Sequence, residues 1–116
     1  METKFLITPK FAKSYKALRK KYVSIKSDVA RFKKDFSANQ LLGDDLGSGY
    51  RKVRMAIQSK NKGKSGGARI ITYELCLKAT EDTIILVDIY DKSERETIQE
   101  WEYKTILQDF LHNNEL

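Results

Sequence analysis

Apolar positions along this chain change rhythm twice. Phe5 to Ile7 is a short apolar run, suited to a first strand. Thr8-Pro9 then reads as a helix start, with Thr as N-cap and Pro at the first helical position. Phe11, Tyr15, Leu18 and Tyr22 recur at intervals of four, three and four, one helical stripe opposite a face rich in Lys and Arg. Ile25, Val29, Phe32 and Phe36 repeat that spacing after a short break at Val23-Ser24, which predicts an antiparallel helical hairpin. From Tyr50 the period drops to two: Val53, Met55 and Ile57 face one way, and Lys52, Arg54 and Ala56 the other. Two more strands are expected over Ala68 to Leu77 and Ile84 to Tyr90, the last apolar enough to be central. Ser93-Glu94-Arg95-Glu96 has the form of a capping box, and Ile98, Trp101, Thr105 and Leu107 to Leu111 supply the apolar side of a final helix.

Punctuation is confined to the middle. All six glycines lie between Gly43 and Gly67, and Pro9 is the only proline. Leu41 to Gly49 reads as turn, Ser59 to Gly67 as a flexible basic loop, and Glu81-Asp82 as a tight turn. The predicted order is β-α-α-β-β-β-α: an α+β domain in which the hairpin packs on an antiparallel meander, helices on one side, with the other face or its edge left for function. At 116 residues the chain is expected to form one domain over 1–116, because two separate cores would each be too small.

Composition narrows the function classes. With 41% hydrophobic and 33% charged residues the chain is expected to be globular. A single Cys76 makes no internal disulfide, the start reads as no secretory signal, and the apolar run Ile84 to Val87 is too short to span a bilayer. The expected setting is the cytoplasm, with no membrane partner.

Net charge is +6, but its placement is more informative. Residues 1–73 hold 18 Lys/Arg against 5 Asp/Glu, and residues 74–116 hold 4 against 11. Ser48 to Tyr73 carries seven cations (Arg51, Lys52, Arg54, Lys60, Lys62, Lys64 and Arg69) and no acid. Such a basic pole suits a polyanion such as nucleic acid.

Several chemistries fit poorly. Gly63-Lys64-Ser65 resembles the end of a phosphate loop, but Gln58 stands where that motif needs Gly, and a strand follows instead of a helix. One Cys and one His, the latter near the C-terminus, give no metal set and no credible Ser-His-Asp arrangement; Asp88 and Asp91 read as strand-end acids paired with cations. No metal and no cofactor is expected. What remains is Lys52 and Arg54 on one strand face, Arg69 after the Gly66-Gly67 turn, and Lys92 near the end of the third strand, accompanied by Tyr50, Tyr73 and Tyr90. Clustered cations suit a phosphodiester, whose transition state spreads negative charge over its oxygens, and tyrosines among them suit base stacking.

The run YRKVRMAIQSKNKGKSGGARIITY, followed by ILVDIYDKSERETI, resembles the RelE/ParE superfamily of type II toxin–antitoxin toxins, and most of all its RelE/HigB-like branch. The TPKF helix start and the KALRKKYVSIKSDVARF hairpin extend the resemblance over nearly the whole chain. It implies a microbial-RNase-like fold and a ribosome-dependent, metal-independent endoribonuclease. Such an enzyme cuts mRNA through the RNA's own 2′-OH and is masked by a cognate antitoxin in a hetero-oligomer. Lys52 and Arg54 fall on the family's paired strand cations, one of them a proposed general base, and Arg69 falls on its phosphate-stabilising arginine. The position where the family often has Arg near the last strand reads Ser93, with Lys92 just before it. The expected catalytic set is Lys52, Arg54, Arg69, Lys92 and Tyr90, with Lys92 or Tyr90 as general acid. Arg51, Lys60, Lys62, Lys64 and Tyr73 are expected to contact RNA or the ribosome. Two other readings are a gyrase-inhibiting toxin of the ParE branch and a non-catalytic module that binds RNA or docks an antitoxin.

Overall fold

The computed structural model describes residues 3–61, 63–78 and 81–116. Its elements are β1 (Thr3–Ile7), α1 (Pro9–Lys21), α2 (Ile25–Ala38), β2 (Asp44–Gly47), β3 (Tyr50–Met55), a 3₁₀ turn (Gln58–Lys60), β4 (Ala68–Lys78), β5 (Glu81–Asp91) and α3 (Glu100–Asn113). The strands form one mixed sheet in the order β1-β5-β4-β3-β2. β1 lies parallel to β5, with Thr3 opposite Asp82 and Ile7 opposite Leu86, and the other pairings are antiparallel.

Thr8 explains how the first strand hands over to the first helix. Its hydroxyl accepts the Phe11 N–H at 2.9 Å, capping α1, and donates to the Val87 carbonyl at 2.7 Å, fixing the cap to β5. Lower on the same helix, Ser14 donates to the buried Asp88 carboxylate at 2.7 Å. The two helices then lay their apolar stripes on one face of the sheet: Phe11, Leu18, Ile25, Val29, Phe32 and Phe36 pack on Val53, Met55, Ile70, Ile84, Leu86 and Ile89.

Several expectations need correction here. The sheet has five strands, because Asp44–Gly47 is a strand and not simply a turn, and it is mixed and not wholly an antiparallel meander, because β1 joins β5 in parallel. Ser48 and Gly49 close it onto β3 as a two-residue hairpin, with φ of +53° and +93°. Positive φ at both central positions matches the right-handed twist of the paired strands, and glycine takes that geometry without strain. The helices do not share one side. α3 covers the opposite face, where Ile98, Tyr103, Leu107 and Phe110 pack on Tyr50, Ile71, Ile85, Val87 and Tyr90.

The start of α3 also differs from the sequence reading. Gln99 and Glu102 make the capping box, and Ser93 instead turns back to Asp91 at the end of β5. A capping box needs helical residues directly after it, and the segment 93–98 is spent crossing from the sheet end to the α3 face. Trp101 consequently points outward, 70% exposed. Glu81 and Asp82 belong to β5 and do not form the turn expected at them; residues 79–80 lie outside the described residues.

Three tyrosines seat α3. The Tyr50 ring lies 4.9 Å from that of Tyr73 and 4.8 Å from that of Tyr103, both tilted. Burial, with the neighbouring Tyr73 and Tyr103 phenols, pushes the Tyr50 hydroxyl up to about 12. A phenol raised in the folded state favours folding below its unfolded value near 10, and that contribution is lost as pH rises from there towards 12. Alkaline titration followed by near-ultraviolet circular dichroism should therefore show α3 loosening over this window. Tyr50→Phe should move the midpoint upward, and an unchanged curve would count against this account of the seat.

Candidate functional site

The register brings the expected strand cations together. Arg54 of β3 stands directly opposite Arg69 of β4, and Arg69 directly opposite Tyr90 of β5. Directly opposed side chains share a face, so these three form one row across the sheet, with Cβ atoms about 4.5–5.5 Å apart between neighbours. Tyr90 packs with the α3 cluster, which places the row on the α3 side. One step along β3 on that side is Lys52, opposite Asp44 of β2. Arg54 is exposed and Lys52 half-buried.

Two like charges directly opposite one another destabilise a sheet. Arg69 is nevertheless only 6% exposed. Its guanidinium is held by carbonyls: Nη1 donates to Lys64 at 3.1 Å and Ala68 at 3.2 Å, and Nη2 donates to Ser65 at 3.2 Å. Among the described residues no carboxylate lies within ion-pair distance of Arg54 or Arg69. Burial and the neighbouring Arg54 both lower the Arg69 pKa, opposed in part by Tyr90 and Asp44. The site therefore has cations in excess.

Tyr90 adds a second anomaly. Its hydroxyl is buried and meets no hydrogen-bond partner, alone in this among the side chains of the described residues. Burial pushes its pKa up, while Thr97, the Arg69 charge and the Ile98 backbone pull the other way. A buried hydroxyl left unpaired costs about 1–3 kcal/mol, so the unpaired one beside Arg69 lowers the stability of the fold.

The loop that holds Arg69 is itself anchored. Asp91 ends β5 with its carboxylate buried, and it accepts from Tyr22 Oη at 2.6 Å, Lys60 Nζ at 2.6 Å and Ser93 Oγ at 2.7 Å. Lys60 also donates to the Gly66 carbonyl at 2.9 Å and to Ser93 Oγ at 2.8 Å. Burial works to raise the Asp91 pKa, but the bonds from Lys60, Tyr22 and Ser93 outweigh it and hold the carboxyl well below the usual range. Gly67 lets the loop lie against β3: a Cβ there would come within 2.1 Å of the Met55 carbonyl oxygen.

The other expected residues separate into groups. Lys60 is committed to Asp91, Ser93 and Gly66 and serves the loop from inside. Arg51 points to the opposite face from Lys52 and Arg54; it donates to the carbonyls of Leu42 at 3.0 Å and Leu41 at 2.9 Å, fixing the approach to β2. Tyr73 is half-buried against Tyr50. Lys92, in the turn after β5, donates to the Glu96 carbonyl at 3.3 Å. Lys64 is exposed and lines, with Lys52 and Arg54, a cleft of about 440 Å³ between α2 and the edge of β3. Lys62 lies outside the described residues. Sequence reasoning missed Asp44 because the stretch around it reads as turn; Ser48-Gly49 between it and the alternating strand was the available hairpin signal. It also missed Arg31, which α2 contributes to the same cleft.

Lys60→Met should leave the Asp91 charge buried without its strongest partner and cost about 3–5 kcal/mol in urea unfolding. Combining it with Asp91→Leu should recover part of that loss, whereas an additive double variant would show that the two do not act as a pair. Compared with protein-family models and with curated proteins, the chain finds no match.

Proposed function

We propose that this chain is a RelE-like toxin, an endoribonuclease that binds an RNA phosphodiester on the α3 side of its sheet and cleaves mRNA on the ribosome. The observation that carries the reading is the row Arg54–Arg69–Tyr90: two opposed arginines without a carboxylate partner among the described residues, beside an unpaired phenol. A phosphate would supply the missing negative charge, and its ester oxygen the missing partner for Tyr90.

In the reaction, the 2′-hydroxyl gives its proton to a base as its oxygen bonds to phosphorus and the bond to the 5′-oxygen breaks, leaving a 2′,3′-cyclic phosphate and, once the 5′-oxygen is protonated, a free 5′-hydroxyl. Arg54 and Arg69 hold the non-bridging oxygens. Lys52 adds a third cation one step along the strand. Tyr90, whose phenol carries a proton at neutral pH and is pushed further up by burial, donates to the leaving 5′-oxygen. The small surface orients little of the RNA strand, which is why the ribosome is the natural source of alignment. A cognate antitoxin that buries this face would neutralise the excess charge and block the site together.

Two measurements test the reading. In a purified translation reaction the wild-type chain should cut mRNA, and Lys52→Ala combined with Arg54→Ala should abolish cutting while the circular dichroism spectrum is retained. Intact mRNA with the wild-type chain would sink the proposal in favour of binding without catalysis, and inhibition of gyrase with intact mRNA would favour the ParE-like alternative. Tyr90→Phe should slow cleavage by about 10²–10⁴-fold, the usual worth of a general acid. It should also stabilise the fold by about 1 kcal/mol, because it removes the unpaired hydroxyl.

A further inference from the structure

Asp44 is the carboxylate that the register sets opposite Lys52, beside the cation row. It opposes Lys52 in the β2–β3 pairing and therefore lies on the same face as Lys52 and Arg54. It lines the same cleft as those two residues and is close enough to Arg69 to act on its charge. Asp44 itself is exposed and, among the described residues, enters no ion pair within 4 Å. The neighbouring Asp45 carboxylate, by contrast, accepts the Gly47 N–H at 2.8 Å and lies 3.9 Å from Arg51.

The backbone that carries Asp44 is tightly placed. Gly43 sits at φ +82°, and a Cβ there would fall 2.4 Å from the Lys52 carbonyl oxygen, so only glycine brings the chain this close to β3. Arg51 ties the carbonyls of Leu41 and Leu42 from the far face. The Ser48-Gly49 turn closes the other end. A four-residue edge strand is thus held at both ends, and its first residue is presented to the cation row.

Resting on the endoribonuclease reading above, we infer that Asp44 is the group that takes the proton from the 2′-hydroxyl. A carboxylate offers lone pairs for that proton, whereas an ammonium has none until it gives up a proton of its own. The proton passes to Asp44 as the 2′-oxygen bonds to phosphorus, and the electron pair of the breaking P–O bond leaves on the 5′-oxygen, which takes a proton from Tyr90. Lys52 then plays a different part. As an ammonium opposite Asp44 it draws the phosphate in beside that carboxylate. The charged groups around Asp44 are Lys52 and Arg54 of β3, Arg69 of β4, Lys64 of the loop, and Asp28, Arg31 and Asp35 of α2. Asp28 is buried and accepts from Ser24 at 2.7 Å, which leaves Asp35 as the exposed acid on the α2 side.

The alternative role for Asp44 is a counter-charge that relieves Arg54 and Arg69, and the two roles predict opposite results. Single-turnover cleavage on mRNA-loaded ribosomes should be compared for the wild type, Asp44→Asn and Asp44→Glu between pH 6 and 9, with binding measured on an mRNA bearing a 2′-deoxy residue at the cut site. As a base, Asp44→Asn should lose about 10²–10⁴-fold in cleavage while binding the deoxy mRNA as tightly or more tightly, and Asp44→Glu should restore part of the rate. The wild-type rate should stay level across this pH range. Unchanged or faster cleavage by Asp44→Asn would overturn the inference while leaving the endoribonuclease reading intact. A wild-type rate that climbs about tenfold per pH unit would overturn it too, and would return the proton to Lys52. A wild-type chain that leaves mRNA whole would overturn both.

Discussion

The buried pair between Asp91 and Lys60 is the contact on which the basic face depends. Asp91 gathers the end of α1 through Tyr22, the 3₁₀ turn through Lys60 and the exit of β5 through Ser93. Lys60 carries the connection on to Gly66, and just before that residue the carbonyls of Lys64 and Ser65 hold the Arg69 guanidinium. A loop of glycine, lysine and serine has little apolar surface with which to order itself. Its shape is imposed by one carboxylate at the sheet end, so the position of Arg69 is set from the other face of the sheet.

That arrangement accounts for how a fold tolerates two arginines opposite each other. Carbonyl dipoles supply part of the negative charge that no carboxylate among the described residues provides, and they do so without closing a salt bridge that an incoming anion would have to break. The same scarcity of partners leaves the Tyr90 hydroxyl unpaired. Both features lower the stability of the free protein, and an anion able to accept a hydrogen bond would relieve both. Local strain of this kind in an otherwise well-packed sheet is the usual mark of a working surface.

Periodicity made most of the scaffold legible. The two helices, the alternation through β3 and the apolar β5 follow from spacing alone, since each has a long enough stripe to decide its period. β2 was hidden because a four-residue edge strand with two acids and a glycine lacks the β-branched composition of a buried strand; its pairing is set by the Ser48-Gly49 turn. The parallel β1–β5 contact joins residues almost eighty apart, which no local pattern reports. The cation face was legible at Lys52 and Arg54 by period two, and Arg69 joined them through the glycine turn. Lys60 and Arg51 were not separable from them by sequence. Their charge marks them as surface residues, and only the tertiary fold supplies the carboxylate and carbonyls that turn them inward. Asp44 was hidden by the same missing strand.

The β1–β5 pairing also orders events in time. The first strand finds its partner only when the last strand exists, and Thr8 cannot tie its helix cap to Val87 before then. A chain made from α1 onward holds part of the apolar stripe of α1 and α2 uncovered until β5 has been made. Such non-local closure is slow relative to helix formation. Tyr90 and Asp91 arrive with that same strand, so the row and the anchor of its loop are completed together, after α1, α2, β3 and β4. A nascent chain of this fold carries its cations long before it carries a finished site.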